Sequence, residues 1–148
     1  MYGDHYEEHV HFHCYIWTGN GEELRNEAER RLPLPPADPG LFLASPLPPM
    51  RTCDWLLKPA RRIDASPPTV DDALTWLADH YRTAEPSFLH PADEARIALD
   101  FRLHIAKECL TAGVDVQWGI WLTGGRFLTC AAICCTPNRH AVYPCPTA

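Results

Sequence analysis

Apolar and polar positions alternate strictly over residues 9–17, in the run His9-Val10-His11-Phe12-His13-Cys14-Tyr15-Ile16-Trp17. A period of two predicts a strand, with Val10, Phe12, Cys14 and Ile16 facing the core and the histidines facing away from it. Thr18-Gly19-Asn20-Gly21 ends that strand. Asn20 followed by Glu23 forms a capping-box pattern and predicts a surface helix over 21–32, with Leu24, Ala28 and Leu32 as its apolar stripe. Thr69 and Asp72 cap a second helix carrying Val70, Leu74, Leu77 and Tyr81 at helical spacing. A third helix starts at Pro91, has Asp93 and Glu94 in its first turn, and stops at Gly113. Its apolar residues (Ile97, Leu99, Phe101, Leu103, Ile105, Leu110) span a wide arc, which predicts the most buried of the three.

Two apolar runs flank Gly124-Gly125 over residues 114–135 and predict a β-hairpin. A two-residue turn at those glycines pairs Thr123 with Arg126, Trp121 with Leu128 and Gly119 with Cys130. It gathers Trp118, Ile120, Leu122, Phe127 and Ile133 on one face. Residues 52–57 offer a candidate strand with Cys53, Trp55 and Leu57 inward. Between 33 and 49 stand seven of the 15 prolines, which exclude a helix or inner strand there. Leu41, Phe42, Leu43 and Leu47 nevertheless demand burial, so this segment is expected to be an ordered connection over the core. The expected fold class is α+β. A small, mainly antiparallel sheet (strand 9–17, candidate strand 52–57, hairpin 114–135) carries about three helices in a single globular domain, 1–148.

Composition narrows the function classes. The chain has 148 residues, 46% of them hydrophobic and 22% charged, enough for one packed core. A net charge of −6 argues against nucleic acid and acidic membrane surfaces as partners. No apolar run approaches the roughly 20 residues that span a bilayer, and the acidic start lacks the apolar segment of a signal peptide. A cytoplasmic location is therefore expected. There the seven cysteines (14, 53, 109, 130, 134, 135, 145) are expected as thiols or metal ligands rather than a disulfide frame. No Gly-rich phosphate loop, Gly-x-Ser-x-Gly elbow or His-Glu-x-x-His pair occurs.

The candidate chemistry lies in two clusters. Histidines two apart on a strand rise about 6.6 Å and point the same way, so both can reach one ion about 2.1 Å from each nitrogen. His9 and His13 are separated by about 13 Å along a strand, too far to share an ion. One adjacent pair, His9/His11 or His11/His13, can therefore chelate, with further ligands from His5, Glu7, Asp54, or Cys130 and Cys134 of the hairpin. Imidazole with thiolate suits zinc best, then iron, copper or nickel. The second cluster is Cys135, His140 and Cys145. Its Cys-x4-His-x4-Cys spacing resembles the later part of a zinc knuckle, with Ala132 where that pattern has another cysteine.

Residues 9–15 are also similar to the signature of the histidine-triad nucleotide hydrolases and transferases. That resemblance implies His11 as a catalytic nucleophile, supported by His9 and His13. In that family the motif closes the domain; here it opens the chain, without the family's Gly-Gln run upstream. The leading expectation is a small protein that binds zinc or a similar transition metal, structural or catalytic in role. The rival is an accessory protein whose 33–49 segment meets a protein partner while the histidines are merely solvated. The adjacent thiols Cys134 and Cys135 further suggest a redox switch.

Overall fold

A computed structural model describes residues 11–135 and 137–148. Strands β1 (His11–Asn20), β2 (Ile63–Ala65), β3 (Val116–Trp121) and β4 (Arg126–Cys135) form one antiparallel sheet in the order β2-β1-β4-β3. With helices of seven or more residues packed on it, this is an α+β fold. β4 lies inside the sheet because its sequence is apolar on both faces: every residue from Leu128 to Cys135 is buried. Such a strand is stable only when both faces are covered.

One face is covered by helices. α1 (Glu27–Arg30) and α2 (Gly40–Ala44) are single turns, whereas α3 (Val70–Ala84), α4 (Pro91–Ile97) and α5 (Leu99–Thr111) are longer. Thr69 caps α3 by accepting a hydrogen bond from the Asp72 amide. α3 and α5 bury Ala73, Leu77, Tyr81, Ala106 and Leu110 against Phe12 and Cys14 of β1, Trp118 and Ile120 of β3, and Cys130 and Cys134 of β4.

The other face has an irregular cover. Tyr15, Trp17, Ala131, Ile133 and Cys135 pack beneath Leu47, Trp55 and Leu56. Tyr15 stacks on Trp55 with ring centroids 4.8 Å apart, and Trp55 is 2% exposed. Full burial of such a ring contributes about 2 kcal/mol or more. Lys58 fixes this layer from within: its ammonium donates to the carbonyls of Phe42 and Ser45 and lies 3.9 Å from the Phe42 ring centroid. The outward face of β1 is therefore not solvated; His13 is 1% exposed.

Several local expectations change. Residues 52–57 form a 3-10 helix, Thr52–Leu57, not a strand; Trp55 enters the second core from a turn instead of from a sheet. The proline-rich stretch holds one helical turn, α2, fitted between Pro39 and Pro46. Residues 21–32 split into a 3-10 helix, Gly21–Arg25, and α1, with Asn26 capping the second piece. The third helix breaks at Ala98, whose φ is +68°, and its second part leaves Phe101 and Ile105 exposed. α3 is the better buried helix.

The hairpin register also differs. Leu122 donates its amide to the Arg126 carbonyl, so three residues, Thr123-Gly124-Gly125, make the turn, and both glycines take the positive φ such a turn requires. Trp121 then pairs with Phe127 and Trp118 with Cys130. A one-residue slip moves side chains to the opposite face. Phe127 and Ile133 thereby join the second core, and Cys130 and Cys134 join the helical one.

Candidate metal centre

The register of β1 and β4 creates the site. His11 lies directly opposite Cys135, and His13 opposite Ile133. Side chains of directly opposed residues share a face, so His11, His13 and Cys135 all project into the second layer. A fourth group arrives from the tail. After β4, Asn138 donates to both carboxylate oxygens of Asp115 and to the Cys134 carbonyl, and Asp115 accepts the Cys134 amide. This turn sends the chain back across the second core. There Tyr143 bonds to buried Asp54, and Cys145 reaches the histidines.

Four ligand atoms, from His11, His13, Cys135 and Cys145, lie within 4.8 Å of one another. The two Nε2 atoms are 3.1 Å apart, and Cys145 Sγ is 3.4 Å from that of His13 and 3.6 Å from that of His11. A tetrahedral ion with nitrogens near 2.05 Å and sulfurs near 2.3 Å would hold N···N at about 3.3 Å and N···S at about 3.6 Å. The observed triangle has these dimensions. Hydrogen bonds alone do not explain it, because each Nε2 carries at most one proton and can donate to only one neighbour. This buried His/Cys group could hold a metal ion.

Surrounding groups prepare the ligands. His13 Nδ1 is 2.8 Å from Ser66 Oγ. With the proton on Nδ1 and donated to that hydroxyl, the Nε2 lone pair points into the group, as metal-binding imidazoles require. Burial pushes the Cys145 thiol up. Hydrogen bonding, from the Thr147 side chain first, outweighs that and brings it down to about 5, which favours the thiolate that a metal binds. Tyr15, two residues beyond His13, holds a buried hydroxyl without a hydrogen-bond partner among the described residues. Burial, then Cys135, Cys145 and Cys14, push its phenol further up and keep it protonated.

The residues singled out in the sequence are thus redistributed. The group takes His11 and His13 from the first cluster and Cys135 and Cys145 from the second. Cys130 and Cys134 face the helical core. Burial, then Asp64 for Cys130 and Asp115 for Cys134, push these thiols up to about 12, which makes them inert protonated core residues. His140 is exposed on the tail turn, where its backbone is engaged by Arg51 and by Asn138. Asp54 accepts from Tyr143. His5, Glu7 and His9 lie outside the described residues. The signal that joins the clusters is the strand register, which the odd-length turn conceals, together with a tail between Cys135 and Cys145 long enough to fold back.

No protein-family model, curated protein or solved structure matches this chain. Among the described residues no helix is long and apolar enough to cross a membrane.

Proposed function

We infer that the chain binds one zinc ion, or a similar transition metal, through His11, His13, Cys135 and Cys145, and that the ion is structural. The observation that carries this reading is the triangle of His11 Nε2, His13 Nε2 and Cys145 Sγ at 3.1–3.6 Å, completed by Cys135. Two imidazoles and two thiolates make a closed zinc set, with no coordination position left for water or substrate. The metal would join β1, β4 and the tail, closing the chain between its two ends. Binding energy of that kind is folding energy. A nucleotide-transfer reading would need His11 Nε2 open to an incoming phosphorus; that atom instead faces His13 and Cys145.

Metal content by mass spectrometry and X-ray absorption at the metal edge test the assignment. One metal per chain is expected, with two nitrogens near 2.05 Å and two sulfurs near 2.3 Å, lost in His11→Ala and in Cys145→Ala. Substoichiometric metal after purification in zinc-supplemented buffer would overturn it. So would a first shell without sulfur.

A further inference from the structure

We propose that β3 is the edge at which two copies of this chain join, continuing one sheet through both and packing α5 against its counterpart. Among the described residues β3 pairs only with β4. In its alternating pattern Leu122, Ile120, Trp118 and Val116 hydrogen-bond to β4, so Gln117 and Gly119 direct their N–H and C=O groups outward. No backbone partner meets those four groups among the described residues. An open edge of this kind is a template for another strand.

The open stretch is short at both ends. The carbonyl of Trp121 already accepts from the Leu89 amide, and Phe88 bridges to Leu122. At the other end the strand begins at Val116. A long foreign strand would run into the Phe88–Leu89 segment. A second β3 has the matching length. Set antiparallel about a two-fold axis at Trp118, it brings Gln117 of each copy opposite Gly119 of the other, and each such pair exchanges its two hydrogen bonds.

The same axis addresses a second feature of the surface. Beside β3 runs a groove of about 370 Å³ between α5 and the strand. Its rim is apolar: Ile97 at the end of α4, and Phe101 and Ile105 one turn apart on α5, exposed by 44%, 57% and 42%. A two-fold axis normal to the sheet keeps both helical layers on one side. It lays α5 antiparallel to α5 of the second copy, stripe against stripe. One symmetry operation closes the strand edge and the apolar stripe, as an isologous interface must.

Light scattering and hydrogen exchange on the metal-replete chain, over a range of concentrations, test this. A dimer is expected, with the Gln117 and Gly119 amides protected. Phe101→Asp combined with Ile105→Asp changes only exposed positions and should give a folded monomer in which those amides exchange freely. A monomer at every concentration would overturn the proposal. A dimer that survives the double substitution, or that leaves Gln117 and Gly119 unprotected, would do the same.

Discussion

Tyr143 donates its hydroxyl proton to the buried Asp54 carboxylate across 2.8 Å, tying the tail to the 3-10 helix that covers the second core. Asp54 is 3% exposed. Tyr143→Phe therefore removes a charge-assisted partner from a carboxylate that water cannot reach. Denaturant unfolding should show a loss of about 1–3 kcal/mol. Because Cys145 lies two residues further on, metal transfer to a competing chelator should also be faster than in the wild type.

The two kinds of cysteine should separate cleanly. Cys130→Ala leaves the metal ligands untouched and trims the helical core, so it should retain stoichiometric metal and lose about 1–2 kcal/mol of stability. Cys145→Ala should behave in the opposite sense, losing the metal and with it the stability the ion contributes, so that it unfolds at the midpoint of the metal-free wild type. Metal analysis beside denaturation of each variant checks both halves.

The Ser66 hydroxyl meets His13 Nδ1, the ring nitrogen that faces away from the proposed metal. Its loss frees the ring to turn and to change tautomer. Ser66→Ala should lower metal affinity by about 10–100-fold with little change in apo stability, read by competition with a chromogenic chelator.

Tyr15 offers a test in the favourable direction. Its ring stacks on Trp55, but its hydroxyl is buried without a partner among the described residues. Tyr15→Phe keeps the stack and removes the desolvated group. Stability should stay level or rise by about 1 kcal/mol, measured by thermal or denaturant unfolding.

Lys58 sets a pH dependence. Burial, and then the neighbouring Arg62 charge, lower its ammonium from 10.5 to about 8. The unfolded chain thus holds a proton between those values that the folded chain has released. Its contribution to stability is complete above about pH 10.5 and is lost as pH falls through about 8. The stability of the wild type relative to Lys58→Met should rise with pH across that window, by about 1–3 kcal/mol. A pH series of unfolding curves on both proteins isolates this group from the tyrosines and thiols that titrate in the same range.

The elements that could be read from sequence are those whose signals are local. β1 follows from strict alternation and α3 from its Thr69 cap and its spacing. The existence of a hairpin follows from Gly124-Gly125. What escaped depended on tertiary context. The apolar spacing of Cys53, Trp55 and Leu57 fits a strand as well as the 3-10 helix observed. Nothing near His13 announces that Ser66 and the returning tail will meet it. α5 is broadly apolar, yet Phe101 and Ile105 remain outside, because the sheet it packs on ends at β3. The candidate site was half legible in each of two places, and only the pairing of His11 with Cys135 unites them.

That pairing traces back to the turn at Thr123-Gly124-Gly125. An odd number of turn residues fixes the parity of β4, and parity alone decides which of two neighbouring thiols looks toward the imidazoles and which toward the helices. Pairing shifted by one residue, with Trp118 still facing the helices, would present Cys134 in place of Cys135. The doublet at the end of β4 supplies a sulfur in either frame. The inner sphere of the proposed metal is therefore governed by which residues pair across the sheet, and in this sequence the glycine turn at the far end of the strand sets that pairing.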